Sequence, residues 1–198
     1  MPRLTQVTDD PTGLLDKVRQ QLGRVPNLYA TMANGPAALD GYLALRSHLV
    51  KGKLTARLRE QLALLVAEEN GCDYCVAAHT FRGKLMKLTD GELLATRVAE
   101  DADPHAEAVL RLARDVMRTR GKVDDATLAE IRAAGVTDAE VAEVVAHVAL
   151  NVLSNYFNHL AQPELDFPAA PALDSVAAPG SDFPTVLAAA DRAEEVVR

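Results

Sequence analysis

Apolar residues in this sequence recur at three- and four-residue steps, and no stretch alternates apolar with polar at period two. Runs of β-branched residues, which strands favour, are also missing. Ala and Leu are abundant while aromatics make up 4% and Trp is absent, a balance that suits helices. The chain is therefore expected to be all-α. Its 198 residues suit one domain with appendages.

Helix punctuation divides the chain into about eight segments. An amphipathic stretch over residues 12–22 carries Leu14, Leu15, Val18 and Leu22 on one side. Residues 23–35 read as irregular, broken by Pro26, Asn34 and Gly35. Pro36 opens a helix to about residue 50, since proline costs nothing in a first turn. Thr55 caps a helix over residues 56–70, Gly71 breaks it, and another runs over residues 73–87. Thr89-Asp90-Gly91-Glu92 and Thr137-Asp138-Ala139-Glu140 are capping boxes, the second opening the longest helix, to about residue 160. Between them lie helices over 104–120 and 124–134, stopped by Gly121 and Gly135. The Ala/Pro-rich stretch over residues 163–184 is expected to be extended, with a short helix over 185–198.

The chain has 28 acidic and 21 basic residues, a net charge of −7. With no cationic run, it is not expected to bind a phosphate backbone. Its longest apolar run, residues 62–67, is far short of the roughly 20 residues a membrane span needs. No signal-peptide pattern is visible in the first ten residues, so a cytoplasmic location is expected. Thiols there are kept reduced, which favours a reactive or metal-binding role for a close cysteine pair over a structural one.

That pair is Cys72 and Cys75, in Asn70-Gly71-Cys72-Asp73-Tyr74-Cys75-Val76-Ala77-Ala78-His79. Cys72 falls at the mouth of a helix and Cys75 in its first turn, where free N–H groups and the helix dipole favour thiolate. Spacings of three and four put Cys72, Cys75 and His79 on one face, so the imidazole can take a thiol proton or sit beside a thiolate as a cation. Glu60 lies on an otherwise apolar strip with Ala56, Ala63, Leu64 and Ala67. If the two helices fold back as a hairpin, with a rise of about 1.5 Å per residue, Glu60 comes level with His79. A carboxylate on such a strip is paired or has a raised pKa.

Bland alternatives stand beside this reading. The cysteines could be small buried residues, Glu60 could lie on a solvated helix face, and His79 could be a satisfied core histidine. Glu60, Cys72, Cys75 and His79 could also make a four-ligand zinc site, although no second C-x-x-C or H-x-x-x-H is present. A thioredoxin fold is disfavoured, because both flanks of this C-x-x-C read as helical. Glu68 and Glu69 are close enough in sequence to approach the cysteines, but are expected to be solvated. On the longest helix, His147, Asn151, Asn155 and His159 recur every four residues, with Asn158 nearby. This stripe reads as a buried hydrogen-bond ladder or an oligomer interface, or less readily as a substrate-pocket wall.

The stretch from Arg59-Glu60 through Glu69-Asn70-Gly71-Cys72-Asp73-Tyr74-Cys75 to His79 resembles the AhpD-like alkylhydroperoxidases of the carboxymuconolactone decarboxylase superfamily. Val25-Pro26-Asn27-Leu28 before Pro36, Gly135 to Glu140, Asn151 to Asn158 and Asp166-Phe167-Pro168 extend the likeness to the peroxidase-related branch, over about residues 20–168. The resemblance implies a helical domain over residues 1–168 with motif core 55–87, leaving 169–198 as a tail. It also implies a homo-oligomer, trimer or hexamer.

The implied activity is reduction of a small hydroperoxide, with an unidentified dithiol or protein reductant and no cofactor or metal. By the same resemblance Cys75 is the attacking thiolate, Cys72 the resolving thiol, and Glu60 and His79 the proton relay. Tyr74, Glu69, Asn151 and Asn155 are candidates for the surrounding layer. Tyr74 stands where well-known members carry a second histidine, which shortens the implied relay. A non-catalytic redox-sensing or partner-binding oligomer, or a carboxymuconolactone decarboxylase-like enzyme, are the alternatives.

Overall fold

A computed structural model describes residues 1–171 and Leu173. Among them are nine α-helices and no strand. The expected terminal helix over 185–198 lies outside the described residues. The helices are α1 Leu14–Leu22, α2 Asn27–Met32, α3 Pro36–Leu49, α4 Ala56–Glu69, α5 Asp73–Leu85, α6 Asp90–Arg97, α7 Pro104–Thr119, α8 Asp125–Ala133 and α9 Asp138–Ala161. No helix among the described residues is long and apolar enough to cross a membrane.

The punctuation read from sequence forms most of the boundaries. Thr89 and Thr137 make reciprocal capping boxes with Glu92 and Glu140, and Thr55 accepts from the Leu58 amide at the start of α4. The departure is α2, six residues inside the stretch read as irregular. Pro26 supplies extended backbone (φ −61°, ψ 149°) just before the helix, and Leu28, Tyr29, Ala30, Thr31 and Met32 are all buried. Packing holds this helix, which is too short to form on propensity alone.

Helix α4 is the central element, packing against α5, α6, α7 and α9. It separates two apolar clusters. Leu64 and Ala67 face one that also holds α1, α2, Tyr42 and the cysteines. Leu62, Leu65 and Val66 face the other, filled by Val109, Leu110, Leu112, Ile131, Val144 and Val148.

Candidate active site

The site is built at the turn between α4 and α5. Asn70 ends α4, and Gly71 follows with φ +63°, a left-handed conformation that glycine adopts without a Cβ penalty. The Gly71 amide donates to the Glu68 carbonyl and the Cys72 amide to the Ala67 carbonyl, a Schellman closure that reverses the chain. Cys72 is thereby the N-cap of α5, and Cys75 is its third residue. The two are joined as a disulfide, with Cα atoms 5.3 Å apart. Both are buried, at 2% and 3% exposure.

The hairpin brings Glu60 and His79 together. His79 Nδ1 lies 2.6 Å from Glu60 Oε1, and Arg82 Nη2 lies 3.0 Å from Glu60 Oε2. Burial pushes the Glu60 carboxyl up, but the His79 imidazole and then the Arg82 guanidinium outweigh it and hold the group below the usual carboxylate value. Glu60 therefore sits in the interior as an anion shared by two nitrogen groups, and it fixes the orientation of the His79 ring.

Beside this pair lies a cavity of about 300 Å³. Cys75, His79, Arg82 and Asn158 reach it, as do Tyr29, Tyr42, Phe81 and Phe167, while Cys72 does not. The arrangement gives the two sulfurs different surroundings: Cys75 meets the cavity, and Cys72 is placed behind it at the helix mouth.

Of these groups, Asn158 was noted from sequence only as a neighbour of the α9 stripe, and Arg82 was not noted. Asn158 donates through Nδ2 to Cys75 Sγ at 3.1 Å, and the same nitrogen is 4.0 Å from Cys72 Sγ. Arg82 is three residues beyond His79 and seven beyond Cys75, so helical spacing alone would have put it on the motif's face.

The remaining candidates are placed elsewhere. Asn151 donates to the His147 carbonyl within its own helix. Asn155 accepts from the Asn70 side chain at 2.8 Å, so it braces the turn rather than the sulfurs. His159 Nε2 lies 2.9 Å from the Asn70 carbonyl oxygen. Of the polar stripe of α9, Asn155 and the exposed His159 meet Asn70 at the α4–α5 turn, Asn151 bonds within its own helix, and Asn158 beside the stripe meets the sulfurs. Glu69 pairs with Arg118 at 2.7 Å and Glu68 with Arg97 at 2.7 Å, so each is engaged by an arginine of another helix rather than by the motif.

Tyr74 points its hydroxyl to Asp166 Oδ1 at 2.6 Å and accepts from the Leu28 amide at 3.2 Å. Burial and the Asp166 carboxylate push its pKa far up, so it stays a protonated donor. Among the described residues no three His, Cys, Asp or Glu side chains gather where a metal ion could be held.

A helical bundle with a C-x-x-C at a helix mouth, backed by a buried Glu–His pair, defines a dithiol protein outside the thioredoxin class. Residues 36–115 match the carboxymuconolactone decarboxylase family. Over that stretch the chain is similar to this family, and its fold is similar to solved AhpD-like proteins.

None of the curated proteins matches the chain in sequence. Among solved structures, it is similar to the alkylhydroperoxidase AhpD core of an uncharacterized peroxidase-related protein from Ralstonia eutropha JMP134. That likeness has a TM-score of 0.71 at 25% identity, over 81% of this chain and 87% of that one. An uncharacterized peroxidase-related protein from Silicibacter sp. TM1040 aligns at TM-score 0.67 and 18% identity, over 83% of this chain and 94% of that one. The debrominase Bmp8, solved as a cysteine-to-alanine variant with 2,3,4-tribromopyrrole, shares the fold at TM-score 0.69 and 18% identity, over 82% of this chain and 90% of that one. The family and these neighbours are named for more than one chemistry.

Proposed function

We propose that this chain is a thiol-dependent peroxidase that reduces small hydroperoxides through a Cys72/Cys75 dithiol–disulfide cycle. The observation that carries the reading is the asymmetry of the pair: Cys75 meets the cavity that His79 lines, and Cys72 is within disulfide reach behind it.

In the reduced protein the Cys75 thiolate attacks one peroxide oxygen. The O–O bond breaks, the leaving alkoxide takes a proton, and Cys75 becomes a sulfenic acid. Cys72 then attacks that sulfur; an S–S bond forms and the oxygen leaves as water. An external dithiol supplies two electrons and two protons to restore both thiols. His79, oriented by Glu60, is the group to hold and release the proton, and the Asn158 amide stabilises charge on Cys75 sulfur.

Such a cycle suits a reducing compartment, the cytoplasm. It also needs a dithiol or protein reductant to reset the disulfide. We extend the proposal to a homo-oligomer, trimer or hexamer. Leu153, Tyr156 and Leu160 lie on one face of α9, with Tyr156 60% and Leu160 62% exposed, and a second copy of the chain would cover them.

The test is hydroperoxide consumption by the purified protein with a dithiol reductant. The wild type is expected to turn over, and Cys75→Ser to fall at least about a hundredfold, the scale of losing an activated nucleophile. An unchanged rate in Cys75→Ser overturns the mechanism. A disulfide that forms but turns over no peroxide faster than free thiol does would point instead to a redox sensor.

A further inference from the structure

The stretch after α9 was expected to be an extended tail. Residues 163–171 carry no helix or strand, yet they are tied to the body at Glu164, Asp166 and Pro171, and Phe167 among them lines the Cys75 cavity. Asp166 is the anchor. Its Oδ1 accepts from the Tyr74 hydroxyl at 2.6 Å, and its Oδ2 accepts from the Asn27 amide at 3.1 Å and faces Arg24 Nη1 at 3.2 Å. Arg24 also donates to the Asp166 carbonyl at 2.9 Å, and the Asn27 side chain to the Glu164 carbonyl at 2.9 Å. Farther along, Arg97 donates to the Pro171 carbonyl at 2.6 Å.

The next residue, Phe167, is thereby set against the cavity. Its ring meets Tyr74 edge-on at 5.7 Å between centroids and lies 5.9 Å from Phe81, while the Arg24 guanidinium sits 4.4 Å above it. Phe167 and Cys75 line the same space. Tyr74 thus belongs to the C-x-x-C turn and to the anchor of this segment at once.

We infer that residues 163–171 form a strap that gates the Cys75 cavity, with Phe167 limiting the size of molecule that reaches the sulfur. Asp166 is the positioning residue that holds it there. The inference deepens the peroxidase reading, since it rests on Cys75 being the sulfur that meets substrate. Bulky reagents reach Cys75 when the strap lifts, and small ones pass beneath it. Aromatic and cation–π contacts of this kind contribute enough that removing the ring raises the open population about tenfold.

The test uses the full chain with Cys72→Ser, which leaves Cys75 as its one thiol. Alkylation by N-methylmaleimide is compared with alkylation by N-pyrenylmaleimide. In each the Cys75 sulfur bonds to an alkene carbon and the neighbouring carbon takes a proton, so no oxidant is involved. Adding Phe167→Ala or Asp166→Asn is expected to raise the bulky-to-small rate ratio about tenfold, and Phe167→Leu to raise it less.

A ratio within twofold of the parent in both Phe167→Ala and Asp166→Asn overturns the strap, as does an equal rise for both probes. If Phe167→Ala loses its helical circular dichroism, Asp166→Asn, which keeps side-chain size, decides alone. Peroxide turnover of the chain with both cysteines is measured alongside. A shifted ratio with no turnover leaves the strap standing and removes the peroxidase reading. Turnover with an unshifted ratio does the reverse.

Discussion

The two apolar clusters on either side of α4 are built from different materials. The one under α7, α8 and the first half of α9 is aliphatic throughout, with Leu110, Leu112, Ile131 and Val144 almost entirely shut off from solvent. The one around the α4–α5 turn mixes three of the four tyrosines, Met32 and both cysteines, and a cavity opens into it. Close-packed aliphatics make a frame that resists rearrangement, whereas aromatic rings, sulfur and buried polar groups leave room and directed contacts for chemistry. The contrast teaches a division of labour: one cluster holds α4 and α9 rigid, and the other uses the ends of those helices to aim Glu60 and Asn158.

The difference can be broken from the frame side first. Leu110→Ala is expected to cost about 3 kcal/mol, by lost burial and a residual cavity, and to leave peroxide turnover per folded molecule unchanged. Denaturant unfolding and active-site titration measure the two separately. A large fall in turnover per folded molecule would show that the clusters are not separable.

Next comes the reactive side. Glu60→Gln keeps the shape but strips the anion from His79 and Arg82. Reaction of Cys75 with peroxide is expected to slow about thirtyfold, within the range of general acid–base catalysis. Because the Glu60 carboxyl is held low in the fold, its contribution to stability is present above its unfolded value of 4.5 and is lost as pH falls through the lower folded one. Urea midpoints across that range should show a smaller acid loss in Glu60→Gln than in the wild type. Equal rates in the two proteins would remove Glu60 from the relay.

The smallest effect belongs to His147, on the frame half of α9. Burial, and then the Arg59 charge, lower its pKa from 6.5 to about 4, with Glu143 opposing. A histidine lowered in the fold is neutral there, while the unfolded chain takes up a proton below 6.5, so stability falls as pH drops from 6.5 towards 4. With partial solvent screening the loss is about 1.5 kcal/mol. Urea midpoints at pH 7 and pH 5 read it, and His147→Leu is expected to flatten that part of the curve. A wild-type midpoint that does not fall between those pH values would contradict the assignment.

Sequence showed the frame and the motif more clearly than the layer around the motif. Capping boxes depend on local backbone chemistry, so the starts of α6 and α9 could be read residue by residue. The Glu60–His79 meeting was also legible, since two helices of known rise joined by a tight turn leave little choice of register. Helix α2 was hidden because its six residues are helical through packing, which breaker residues on either side conceal.

The α9 stripe misled through its spacing. Residues four apart drift around a helix, since four steps exceed a 3.6-residue turn. The row through Asn151 and Asn155 therefore ends at Asn70 and His159, and Asn158, one step aside, faces the sulfurs. Asp166-Phe167-Pro168 stood out only through the family resemblance; the contacts that hold the strap could not be read from it, because Arg24, Asn27 and Tyr74, which bind the Asp166 carboxylate and the Glu164 and Asp166 carbonyls, are far away in sequence.

The dithiol couple itself can be weighed. The reduced protein, freed of reductant, is given one equivalent of an organic hydroperoxide, then thiols are counted and the intact mass recorded. The proposed cycle predicts loss of both thiols and of two hydrogens, with no oxygen retained. Two thiols remaining, or a stable added oxygen with one thiol left, would contradict it.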